Sequence, residues 1–472
     1  MLFTSLPFVL LIACTLAVYY LPALRRFQVA LLTLASFLFY GWSQPELTLL
    51  LAASCLINAV CSWRVLTGAS KARLAWAAGG VVANLAILSS FKYARLFTGL
   101  FIADPAALDG PVGMLVNLPL PIGISFFTFQ GISLLVDAWR SRRDGSDLGL
   151  DPQIFRRHLV EVTLFKGFFP QLVAGPIVKA GEWWPQREPK TWKLVDGDLA
   201  IRALITGYFL KMVVADNLKD QTEWIQFPLF LHRSGIDLAA MLFGYSMQIF
   251  ADFAGYSLIA IGLAALFGYR LPDNFRFPYI AASVSAFWRR WHISLSSWLR
   301  EYLYLPLGGN RKGNLRTYLN LMLVMLIGGL WHGAAWSYLV WGGWHGLALC
   351  CERPLLGLGQ AWANHPLVLT LRIVGVFAFV SLSWLLFKLP EFDHAIDYLR
   401  TMCTGFDRPA TPKLLLIVAI LSAPVVIYHA DHLARGTLRR LADAGRGTAY
   451  IAMVLATVFN AGSTQSFIYF QF

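Results

Sequence analysis

His332 combines a proton-transferring side chain with a setting that makes such a side chain costly. It stands between Trp331 and Gly333 at the end of an apolar run, in GGLWHGAAWSYLVWGGWHG. Ionisable groups at membrane depth are expensive and are usually kept there for a purpose. An imidazole in that position can take the proton of a hydroxyl that attacks a carbonyl, the work of a general base. It can equally be a buried histidine hydrogen-bonded between helices, and the residue alone leaves both open. His292, in FWRRWHISLSSWLREYLYLPLGGNRKG, is the second candidate, weighed against a plainer role as a surface-helix histidine beside Trp291. His345 follows His332 by thirteen residues. That is not ligand spacing on one helix turn, and no HExxH, CxxC or carboxylate cluster accompanies the pair, so no metal site is expected.

The elements that must position these residues are apolar. Phe287, Trp291, Leu295, Trp298 and Tyr302 recur at three- and four-residue spacing, with Arg289, Arg290 and Arg300 on other faces. That pattern predicts an amphipathic helix lying in a membrane interface. A flexible cationic turn, Pro306 to Lys312, follows and suits phosphate groups. Glycines on both sides of His332 let backbones approach closely or leave room for a substrate. Asp252, in a long hydrophobic stretch, must be paired, protonated or hydrogen-bonded. An Arg or Trp of the central stretch would satisfy it, and proton movement is the alternative.

Hydrophobic residues make up 57% of the chain and charged residues 14%, against about 25% charged in a soluble domain. Mean hydropathy is +0.58. Such a chain cannot cover its apolar surface in water, and the fold class is an all-α, polytopic integral membrane protein. Apolar runs, among them roughly 117–138, 160–178, 199–216, 318–334 and 336–351, allow about ten to twelve transmembrane helices with others re-entrant or interfacial. The net charge of +13 sits in short loops between spans, which points to topology and anionic headgroups and not to nucleic acid. Arg25, Arg26, Arg64, Lys71, Arg73, Arg140, Arg142 and Arg143 mark cytoplasmic loops, although Lys92 and Arg95 spoil strict alternation. Segments from Pro119 and from Phe165 mix Pro, Gly and Lys into apolar sequence, which is tolerated where protein or water replaces lipid. No soluble domain or repeat is visible, so residues 1–472 read as one membrane domain, with 286–346 as its core stretch.

Taken together, the motifs resemble the membrane-bound O-acyltransferase (MBOAT) family, in its alginate O-acetylation branch. They are FKY at Phe91, PIGISFFTFQ at Pro121, FFPQLVAGPI at Phe168, ADNL at Ala215, DFAGYS at Asp252, PDNFRFPY at Pro272, FWRRWHISLSSWLREYLYLPLGGNRKG, GGLWHG and the terminal FIYFQF. Each is weak alone; in this order they are specific. The resemblance implies helices around a central funnel, an essential histidine at His332 and a second at His292. It also implies acetyl-CoA as donor, with no bound cofactor, and a location in the bacterial inner membrane. Expected partners are a periplasmic acetyltransferase, polysaccharide biosynthesis and export proteins, and membrane lipid. Charge and position make Arg289, Arg290, Arg311 and Lys312 candidates for the phosphates of the donor. Tyr469, in the C-terminal motif 467–472, matches a proposed acyl relay, against a plainer role as an aromatic interface anchor.

Two positions depart from the family pattern: Leu258 and Ala286 stand where the family commonly has Asp. The missing carboxylates put the groups supporting His332 and His292 in question. Without the resemblance, a transporter or flippase, or a scaffold of a polysaccharide export complex, would fit the architecture. No repeat symmetry of the kind many transporters show is present to favour the former.

Overall fold

The computed structural model describes residues 1–472 apart from 43, 103, 147, 150–153, 174, 356–364, 435–437, 463–472 and the side chains of 438–444. The described residues form helices and their connections, with no strand among them. Helices are the expected outcome for apolar sequence in lipid, because each backbone polar group must then be bonded within its own segment. Among the described residues, six helices are long and apolar enough to cross a membrane: Pro22–Gly41, Pro45–Thr67, Ser70–Thr98, Gly235–Leu266, Pro366–Lys388 and Pro412–Leu433. Leu6–Tyr19 and Gly445–Phe459 are shorter apolar helices. Other apolar runs fold as broken pieces. The run over 160–178 divides into Phe155–Gly167 and Phe169–Leu172, with Pro170 near the start of the second.

The chain groups into two compact units, Met1–Ala203 with Ile259–Pro272, and Leu204–Leu258 with Asp273–Phe472. In the first unit, polar side chains join helices from the inside. Asn58 and Asn84 exchange hydrogen bonds of 3.1 and 2.9 Å. Ser62 Oγ lies 2.8 Å from His158 Nε2, and Lys166 Nζ donates to Ser54 Oγ at 2.6 Å. Such bonds average about 0.6 kcal/mol each between membrane helices. Residues Ile124 to Leu135 of the helix Ile124–Asp144 are all buried, so the segment from Pro119 is covered by protein over its helical part, while Pro119 and Leu120 are exposed. The helix Gly235–Leu266 is mostly buried, with its residues up to Leu258 in the second unit, and there Gly313–His332 pairs with Trp336–Leu355 as a hairpin.

Candidate active site

The hairpin carrying His332 closes on glycine. A Cβ on Gly329 would run into the carbonyl oxygen of Tyr338, and one on Gly342 into that of Met325. The two backbones touch there, and side chains would hold them apart. The close approach sets the end of the first helix, with His332 4% exposed, among aromatic rings. Its ring centroid lies 5.1 Å from Trp331, 5.1 Å from Trp341 and 5.2 Å from Phe387.

His292 is positioned by a break in the chain. The stretch predicted as one interfacial helix divides into Val284–Trp288 and Ile293–Leu299, and His292 between them takes φ 43° and ψ 54°. Left-handed backbone costs a non-glycine residue roughly 1–2 kcal/mol. Hydrogen bonds flank it and hold the turn. The Arg276 N–H donates to the Arg290 carbonyl at 2.9 Å and the Ile293 N–H to the Asn274 carbonyl at 3.0 Å. Ser294 Oγ donates to Asn274 Oδ1 at 2.6 Å, and Asn274 Nδ2 to Ser257 Oγ at 3.0 Å.

The aromatic face meets protein, not lipid. Phe287, Trp291 and Leu295 are each 1% exposed. This corrects the interfacial-helix expectation, since helical spacing reports an apolar face without saying what covers it. His292 itself is fully buried, edge-on to Phe253 at 4.6 Å and 6.3 Å from His332. It lies outside the six spanning helices, and burial pushes its imidazole down to about 3.

A cavity of about 700 Å³ opens beside His332. Trp288, Trp341, Ile293, Leu299, Val324 and Gly328 give it an apolar wall, and Gly328 is one helical turn before the histidine. Arg289, Arg300, Ser285, Ser296 and Ser297 supply the polar groups. Among the described residues His332 lines this space and His292 does not. A base at the edge of an apolar cavity that also carries cations can hold an apolar chain with an anionic head and deprotonate a second substrate.

The sequence profile of the membrane-bound O-acyltransferase family matches residues 151–383, which include both histidines and the whole cavity. The chain is 36% identical over 436 residues to the probable alginate O-acetylase AlgI of Azotobacter vinelandii, covering 90% of this chain and 84% of that one. This chain belongs to the membrane-bound O-acyltransferase family. It is similar to the peptidoglycan O-acetyltransferase of Helicobacter pylori, 35% identical over 390 residues, covering 79% of this chain and 73% of that one. It is also similar to the teichoic acid D-alanyltransferase of Bacillus subtilis, 29% identical over 293 residues, covering 59% and 71%. It is an O-acyltransferase and a multi-pass membrane protein.

Within this acyltransferase the four cations singled out in the sequence fall in different places. Arg289 lines the cavity and donates from Nη1 to Ser285 Oγ at 2.7 Å. Arg290 turns Nη1 toward the carbonyls of Phe277 and Ile280, each at 3.4 Å. Arg311 and Lys312 are exposed in the turn before Gly313 and are not among the cavity residues. Arg300 lines the cavity as well, and its place in the helical pattern does not distinguish it from the other cations of the stretch. Tyr469 and the whole motif 467–472 lie outside the described residues. His345 is fully buried, with Nε2 3.1 Å from Ser383 Oγ. No group of three His, Cys, Asp or Glu side chains suited to a metal occurs among the described residues.

Buried and capping carboxylates in the second unit come from inside the motifs, at Asp216 and Asp252, and from outside them, at Glu352. The helix Val284–Trp288 begins at Ser283, whose Oγ accepts the Ala286 N–H at 3.0 Å. Glu352, from the hairpin's second helix, accepts the N–H groups of Val284 and Ser285. A carboxylate at a helix N-terminus is favourable, so Glu352 brings one to the helix in which position 286 is Ala. Asp252 pairs with Lys211, Nζ to Oδ1 2.8 Å, and the same Nζ is 2.6 Å from Asp216 Oδ1. All three side chains are at most 5% exposed. The partner thus comes from the π-helical segment Phe209–Ala215 and not from the central stretch. Asp252 precedes Phe253, the ring on which His292 rests, so the ion triad fixes the backbone beneath the second histidine.

Proposed function

We propose that this O-acyltransferase takes acetyl from cytoplasmic acetyl-CoA and passes it across the bacterial inner membrane for O-acetylation of an exopolysaccharide, alginate-like or cellulose-like. The observation that carries the proposal is His332 in the wall of an apolar cavity that also presents Arg289 and Arg300. The apolar wall suits the pantetheine arm and acetyl group, and the two guanidinium groups suit the phosphates of the donor. The acceptor class is supported by the relatives, which are named for alginate, peptidoglycan and teichoic acid.

In the proposed reaction His332 takes the proton of an acceptor hydroxyl as its oxygen attacks the thioester carbonyl. The C–O bond forms, the C–S bond breaks, and the proton returns to the departing sulfur, releasing CoA as thiol. General-base assistance of this kind contributes about 10²–10⁴-fold. His292 holds the packing beside His332. Tyr469, an outer partner enzyme or the polymer itself supplies the accepting hydroxyl.

The test uses inner-membrane vesicles supplied with acetyl-labelled acetyl-CoA, the outer partner and polymer. Label should appear as hydroxylamine-labile ester in the polymer with wild type and not with His332→Ala. Label appearing equally with both would overturn the assignment of His332, and label confined to lipid would overturn the acceptor class.

A further inference from the structure

A second cavity, independent of the acyltransferase site, lies in the first unit and has a different chemistry. It measures about 340 Å³ and is lined by Arg73, Arg142, Ser141, Ser146, Gly145 and Leu66. Three helices supply it: Pro45–Thr67 at its end, Ser70–Leu88 at its start and Ile124–Asp144 at its end. Loops far apart in sequence, each marked by excess cations as cytoplasmic, are thus brought to one place.

The arrangement is held from within. Arg73 Nε donates to the Gly68 carbonyl at 3.1 Å, which fixes the guanidinium and leaves its two terminal nitrogens for a further acceptor. Asp144, two residues after Arg142, is engaged by Arg143 at 2.6 Å. Its charge is therefore directed to Arg143 and not to the cavity cations. The surrounding rings set the depth. Arg143 lies 4.6 Å over Trp139, and Arg64 lies 5.4 Å over Trp63 and 5.7 Å over Trp76. Tryptophans with cations over their faces at helix ends are the side-chain signature of the headgroup layer.

The geometry points to this cavity as a binding site for a phosphate ester whose negative charge is not offset by an amine, of the kind an anionic phospholipid presents. Two guanidinium groups match phosphate oxygens in paired hydrogen bonds, and the hydroxyl of Ser146 faces the same cavity, while Ser141 Oγ donates to the Ala138 carbonyl at 2.9 Å. Basic pockets between membrane helices on the cytoplasmic side hold anionic headgroups for this reason.

The test is native mass spectrometry of the detergent-purified full chain, titrated with phosphatidylglycerol, phosphatidylcholine and inorganic phosphate. Wild type should retain phosphatidylglycerol about tenfold better than phosphatidylcholine, and Arg73→Gln with Arg142→Gln should lose that preference. Ser146→Phe, which obstructs the cavity with both cations intact, should lose it too and serves if the double variant does not fold. Inorganic phosphate that binds and displaces the lipid would assign the same site to a soluble phosphate. Equal retention of the two lipids without phosphate binding, or a preference unchanged in the variants, would overturn the proposal.

Discussion

The rings of His292 and His332 lie 6.3 Å apart, centroid to centroid, with planes tilted by 55°. They reach that position from unrelated elements, one in a left-handed turn and one at the end of a helical hairpin. His332 borders the cavity and His292 is not among its lining residues, which supports the proposed roles of base for the first and positioning residue for the second.

Asn274 is central to that positioning, since its side chain joins Ser294 to Ser257 and its carbonyl holds Ile293. Asn274→Ala removes buried hydrogen bonds worth about 1–3 kcal/mol where a partner is left unsatisfied. The expected result is a lower kcat with little change in KM for the donor, read in an acetyl-CoA thiol-release assay, together with a lower unfolding temperature in detergent.

Lys211 sits between two buried carboxylates. Lys211→Met leaves Asp252 and Asp216 without their cation, and breaking a buried pair in this way costs about 3–5 kcal/mol. Thermal unfolding in detergent should show a large loss for the single variant. Adding Asp252→Asn should recover part of it, because the uncompensated charge is then reduced.

Gly342 and Gly343 are neighbours with opposite expected tolerance. A Cβ at 342 meets the backbone of the facing helix, whereas one at 343 finds Leu326 Cδ2 at 3.6 Å, ordinary contact. Gly342→Val should therefore lose folded protein in the membrane and Gly343→Ala should not. Comparing the yields of monodisperse protein after solubilisation checks this.

Much of this was legible in the sequence, and the failures have physical reasons. The apolar runs announced helices, and the glycine-flanked end of one of them announced His332. The turn at His292 was hidden, because residues 287–302 keep helical spacing straight through it; the bonds that hold the turn come from Asn274 and Arg276. Lys211 was hidden for a related reason. It is a lone cation in ITGYFLKMVV, and its pairing with Asp252 crosses from one helical element to another. Arg300 and Arg311 look alike as letters, and only the cavity separates them.

That separation gives a kinetic prediction. Arg300→Gln should raise KM for acetyl-CoA about tenfold with kcat little changed, the pattern of lost ground-state binding. Arg311→Gln should leave both near wild type. Initial rates over a range of acetyl-CoA concentrations distinguish the two.

The most direct measurement compares wild type with His332→Ala at matched membrane levels, reading thiol release from acetyl-CoA with the acceptor and outer partner supplied. The expected result is a rate at least about 10²-fold lower in the variant, with its unfolding temperature and its binding of acetyl-CoA close to wild type. Equal rates in the two proteins would contradict the assignment of His332 as the base and transfer that role to His292.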